Sequence, residues 1–125
     1  MKVAFHGAAR TVTGSKHIIT LKSGKKILLD CGMFQGLGKD TDILNRSFGF
    51  NPKEVDVMIL SHAHIDHSGL IPKLVKEGFE GNIFCTHGTR ELVTVLLEDS
   101  AEIQEDDIRY TNKRRAASGQ PLLLP

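Results

Sequence analysis

The chain has 125 residues, 40% hydrophobic and 25% charged, with a formal net charge of +1. That suffices for one domain with a real core, and the near-neutral balance excludes a global pull toward nucleic acid or membrane. No apolar run approaches the roughly 18 residues of a membrane span, and MKVAFHGAARTVTGS lacks the apolar region of a signal peptide, so the expected location is the cytoplasm.

Five segments bounded by Gly, Pro, Asn or Ser read as strands: Lys2–His6, His17–Lys22, Lys26–Asp30, Val55–Leu60 and Asn82–Thr86. Ser23-Gly24 reads as a hairpin break between the second and third. The stretch GAARTVTGS, containing Gly14 and Ser15, could offer backbone N–H groups to a phosphate, although it is neither GxGxxG nor a Walker loop. His6 ends the first strand and could line a site with Gly14 and Ser15, while His17 only opens a strand. Cys31 and Cys85 both follow strands, and the expectation is two buried, reduced thiols with no CxxC clip. Asn51 and Pro52 read as the cap and first residue of a single turn. VDVMIL, almost wholly apolar, suits a central strand covered on both faces.

LSHAHIDHSG follows that strand and holds three of the six histidines of the chain. A helix would set His62 and His64 about 200° apart, whereas an extended strand end puts both on one side. The segment therefore reads as a strand end running into a loop, with a helix starting near Ser68 or Gly69. His62 and His64 can then grip one cation, and Asp66 and His67 a second beside it. Imidazole and carboxylate donors suit zinc, with Mn and Fe open. Asp30, ending KILLD, could orient a ligand histidine by accepting its second N–H.

Gly69–Glu77 carries apolar residues at helical spacing and ends at Gly78. His87 sits beyond the fifth strand as another candidate for the site's lining. Thr89 to about Ile108 reads as a longer helix with a stripe of Leu92, Val93, Leu96, Leu97 and Ile103. Lys113–Arg115 reads as a solvated face. The last leucines have little to bury against, so the chain looks as though it stops within a domain. A hairpin followed by βα alternation predicts an α/β layer, helices on a mixed sheet.

HAHIDH fits the HxHxDH signature of the metallo-β-lactamase superfamily. With GAARTVTGS and LLDCGMFQG, LSHAHIDHSGLIPKLV resembles the N-terminal part of the β-CASP branch, RNA-processing nucleases related to the polyadenylation cleavage factor. The resemblance implies an αββα sandwich with metals at one edge, of which residues 1–125 would form an incomplete first portion, without the β-CASP cap and the C-terminal half. It implies zinc as cofactor, two ions in the complete protein. His62 and His64 would bind one and Asp66 and His67 the other, with Asp30 as supporting acid. It implies phosphodiester hydrolysis of an RNA substrate, with Asp66 and His67 as catalytic residues. Two donors per ion fall short of the three protein ligands typical of catalytic zinc, so the chain alone is expected to bind metal weakly and turn over little. The signature is shared with thioesterases and lactonases, which stay open. So does a non-catalytic module that forms a homo-oligomer through an uncovered sheet face.

Overall fold

The computed structural model describes residues 1–124; the expected boundary at Pro125 lies outside them. One five-stranded sheet forms the frame: β1 (Lys2–Phe5), β2 (His17–Thr20), β3 (Lys26–Leu29), β4 (Val57–Ile59) and β5 (Asn82–Phe84), in that order across the sheet. The first three strands run antiparallel, and β3, β4 and β5 run parallel. Such a mixed sheet is what a hairpin followed by βα units builds. Gly24 closes the β2–β3 turn at φ 87, a left-handed value that favours glycine. Since β1 and β3 both run opposite to β2, the chain leaves β1, β3, β4 and β5 at one edge of the sheet.

Strand alternation sorts the side chains. Ile18, Leu28 and Met58 share one face and are buried. They pack with Val55, Leu60, Leu70, Ile71, Leu74 and Phe79 into the core. The helices that cover this face are α2 (Ile65–Ser68), α3 (Ile71–Lys76) and α4 (His87–Ala117). No helix among the described residues is long and apolar enough to cross a membrane.

The opposite face carries Val3, Phe5, Ile59 and Phe84 and is exposed. This corrects the expectation for VDVMIL. β4 lies next to the sheet's edge strand and is covered on one side, so Met58 is buried while Ile59 is 43% exposed. Cys85 follows the last strand onto the same open region and is exposed, contrary to expectation; Cys31 is buried.

Helix boundaries also differ. The long helix begins at His87, where Thr86 Oγ1 accepts from the Thr89 N–H at 3.3 Å, and runs nine residues past Ile108. Its buried stripe is narrower than expected: Val93 and Leu97 reach the core, whereas Leu92 and Ile103 are more than half exposed. A further helix, α1 (Lys39–Asn45), was not expected. It buries no residue and so carries no apolar period. Its anchor is Asn45, which exchanges two hydrogen bonds with the Phe34 backbone. The Asn51–Glu54 turn is a 3₁₀ turn, with Asn51 Oδ1 accepting from the Lys53 N–H at 3.1 Å.

Candidate metal centre

The segment after β4 stays extended through His64 and then turns helical. Ser68 N–H and Gly69 N–H donate to the carbonyls of His64 and Ile65, and Ser68 Oγ donates to the Ala63 carbonyl at 2.8 Å. Asp66 and His67 therefore stand on α2, not on a bending loop, and the helix begins at Ile65, not near Ser68. A helix of four residues leaves its carbonyls unpaired within itself. Neighbouring backbone supplies the donors: Met33 N–H to Ile65, Ser15 N–H to Asp66 and Cys31 N–H to His67, all within 2.8–3.0 Å. Two chain segments thus hold α2 by its backbone and free its side chains for other work.

The key side chain beneath the site is Asp30. It is 3% exposed, and its φ of 59 is a left-handed value that aspartate tolerates better than most residues. Oδ1 accepts the Ser61 N–H at 2.7 Å, and Oδ2 accepts Ser61 Oγ–H at 2.7 Å and His67 Nδ1–H at 2.8 Å. With its O–H directed at Asp30, Ser61 Oγ accepts from His62 Nδ1–H at 2.9 Å. This network puts a proton on Nδ1 of both rings, so that Nε2 of each is the nitrogen available to a cation. Ser61 was not singled out in the sequence, although its place between a buried strand and the first histidine was a usable signal.

One ligand atom each from His62, Asp66 and His67 lies within 4.8 Å of the others. His67 Nε2 and Asp66 Oδ2 are 3.4 Å apart. Donors at about 2.1 Å from a tetrahedral ion sit about 3.4 Å from one another, so this pair already has ligand spacing. Two imidazole nitrogens and a carboxylate oxygen suit a zinc-class cation. His64 is not in the group; its ring stands edge-on to His62 with centroids 4.9 Å apart. The sequence set His62 with His64 and Asp66 with His67; the fold keeps His64 beside His62 and also brings Asp66 and His67 to it.

The remaining candidates spread around the same sheet edge. Ser15 is buried on the backbone of Asp66, and Gly14 lies against the Phe34 ring. The ring of His6 packs on Phe50 at 5.1 Å, and its pKa is lowered by burial and then by Lys16 and His17. His87 is exposed at the start of α4.

Lys16 is the residue the sequence gave least reason to notice. Only 1% exposed, it donates from Nζ to the carbonyls of Gly14 at 2.9 Å and Gly32 at 2.7 Å and stands 4.3 Å above the Phe34 ring. It ties together the two segments that hold α2. Burial lowers its pKa from 10.5 to about 8, while Cys31 acts in the other direction. Between those values the unfolded chain keeps a proton that the folded chain has released, so stability rises with pH from about 8. Cys31 opposes this. Burial raises its thiol from 9.0 to about 12, so the unfolded chain loses that proton first and stability falls with pH above 9. The expected profile rises between pH 8 and 9 by at most about 1.4 kcal/mol per unit, then flattens. Urea midpoints from pH 7.5 to 9.5 check this, and Lys16→Met is expected to remove the rise.

The family model for the metallo-beta-lactamase superfamily matches residues 17–116. Ribonuclease TTHA0252 of Thermus thermophilus is 46% identical over 106 residues, which are 85% of this chain and 24% of that protein. Transcription termination factor FttA of Methanocaldococcus jannaschii is 33% identical, over 90% of this chain and 18% of its own. Integrator complex subunit 11 of Danio rerio is 36% identical, over 90% and 19%. The chain thus spans about a quarter or less of the length of these relatives. Among solved structures, human tRNase Z, short form (ELAC1), superposes with a TM-score of 0.50 at 23% identity, over 81% of this chain and 40% of that one, which speaks to the fold.

Proposed function

Because the chain belongs to the metallo-β-lactamase superfamily, we propose that it is the metal-binding portion of a β-CASP-type, zinc-dependent ribonuclease of the cytoplasm. The observation that carries this reading is the single buried carboxylate of Asp30, which holds His67 directly and His62 through Ser61. A surface loop rich in histidine has no need of such support; a metal site does. The ribonuclease relative at 46% identity directs the substrate reading to RNA.

In this reading His62, Asp66 and His67 hold one ion through Nε2, a carboxylate oxygen and Nε2, and His64 belongs to the ligand set of a dinuclear site that needs further donors. A bound zinc-class ion supplies Lewis acidity toward a phosphoryl oxygen. Asp66, half-buried on α2, would take the proton of the attacking water on the carboxylate oxygen that the ion leaves free. Asp30 never meets the substrate; it fixes the tautomers, so that both rings present lone pairs.

The zinc and RNA assays are made on the 125-residue chain and on the complete gene product. The chain alone is expected to bind zinc weakly and to cleave RNA at a trace rate, and the complete product to cleave RNA and leave thioesters and lactones intact. Robust turnover of RNA by the 125-residue chain, lost in His64→Ala, would contradict the partial-site reading. Preference for a thioester would replace the nuclease reading with another hydrolase of the same fold.

The open sheet face favours a second reading, a non-catalytic assembly unit whose copies cover Val3, Phe5, Ile59 and Phe84. Light scattering separates the two: a monomer at micromolar concentration that takes up zinc excludes it.

A further inference from the structure

The loop between β1 and β2 is held at its base and bare at its tip. A Cβ on Gly7 would overlap the Gly14 carbonyl, so only glycine lets the two arms of the loop meet there. Ala8 N–H donates to the Thr13 carbonyl at 3.2 Å. Thr13 Oγ1 donates to the Gln35 carbonyl and accepts the Gln35 N–H, at 3.1 and 3.0 Å. Lys16 and Ser15 complete the anchorage on Gly32 and on the backbone of Asp66. The loop leaves the sheet at the edge where His62, Asp66 and His67 cluster.

At the tip the backbone is strained. Ala8 has φ 50 and Arg10 has φ 60, left-handed values at residues that carry a Cβ. Each such residue costs about 1–2 kcal/mol, and such strain persists where the surroundings over-determine it. Arg10 is exposed, and among the described residues its guanidinium, like those of Arg90 and Arg114, makes no hydrogen bond or ion pair, whereas Arg46 and Arg109 are paired with carboxylates and Arg115 with a carbonyl. Of the three unpaired cations, Arg10 is the one carried on the loop whose base is bonded to the Asp66 backbone. A guanidinium, on a loop whose base is bonded to the backbone of Asp66, can take two phosphate oxygens at once.

We infer that Arg10, presented by the anchored Gly7–Lys16 loop, is a substrate-binding residue that grips a backbone phosphate of single-stranded RNA next to the metal centre. This rests on the RNA reading of that centre. The contact positions the strand and carries no base preference.

The test is fluorescence anisotropy of a labelled 12-nucleotide single-stranded RNA in EDTA, so that no strand is cut, across a salt series. Arg10→Gly relieves the left-handed strain while removing the cation. It is expected to weaken binding about tenfold, to flatten the plot of log affinity against log salt by about 0.7, and to raise the Tm by a few degrees. Arg10→Lys should restore the salt slope but not the full affinity. Arg109→Ala, on the distal part of α4, should change neither. Unchanged affinity and slope in Arg10→Gly would overturn the inference. So would an equal effect of Arg109→Ala, or a loss of binding that tracks a lower Tm. If the unaltered protein binds no RNA, the substrate reading itself fails, and this inference with it.

Discussion

Asp30→Asn is expected to lower zinc affinity about 10–100-fold while leaving the fold in place. The variant keeps the shape of the side chain and a residue type that accepts the left-handed backbone at φ 59. It changes one chemical property. The carboxylate accepts at both oxygens, from Ser61 N–H, Ser61 Oγ–H and His67 Nδ1–H. An amide accepts at one end and donates at the other. If its oxygen stays with the Ser61 N–H, its NH₂ faces Ser61 Oγ and His67 Nδ1. His67 must then accept at Nδ1, which moves its proton to Nε2, the atom that would meet the ion. Ser61 loses its acceptor as well, and the tautomer of His62 is no longer fixed. Competition against a zinc chelator measures the loss, and imidazole ¹⁵N shifts report the tautomer directly. Asp30→Ala is the less informative variant, since it also leaves Ser61 and His67 unpaired. Wild-type affinity in Asp30→Asn, with His67 still protonated at Nδ1, would remove Asp30 from the site.

The strands were legible in the sequence because their periods are short and their boundaries are marked by turn residues. All five lie within the expected segments, trimmed at one or both ends. The burial of one face also follows from alternation at Ile18, Leu28 and Met58. The same rule carried an overlooked signal: Lys16 stands two residues before Ile18 and so belongs to the buried side. The turn at Ile65–Ser68 was hidden for a different reason. Four residues are too few to show a helical period, and this turn is held by the backbone of Ser15, Cys31 and Met33, whose approach no local pattern announces. Asp66 and His67 come back to His62 because that turn swings them over the strand end, while the His64 ring stands edge-on to His62 at 4.9 Å between centroids. The exposure of Ile59 and Cys85 was unreadable because an apolar strand looks the same whether one face is covered or two.

Gly32→Ala is expected to cost at least about 3 kcal/mol of stability and to lower the Tm by about 10 °C. Gly32 has no left-handed requirement; the demand is for space. A Cβ there would overlap the carbonyl carbon and oxygen of Asp66 and come within 2.9 Å of the His67 nitrogen. All of these are backbone atoms of the turn that carries the donors, so no flexible side chain can give way. The segment must lift off α2, breaking the bonds from Cys31 N–H to His67 and from Met33 N–H to Ile65, and with them the bond from Gly32 N–H to Ser15. Each is worth about 1 kcal/mol, which sets the scale of the loss. Lys16 Nζ loses its Gly32 partner in the same movement and is left with fewer acceptors in a buried place. Gly88→Ala is the matched control, since a Cβ there meets open space and alanine favours the helix. Calorimetry of the two variants checks the contrast. Zinc uptake by the folded fraction of Gly32→Ala should also fall, because Asp66 and His67 are carried on the turn that moves. A Tm within about 2 °C of the unaltered chain would mean that α2 floats free of the Cys31–Met33 segment, and the account of how the site is held would fail.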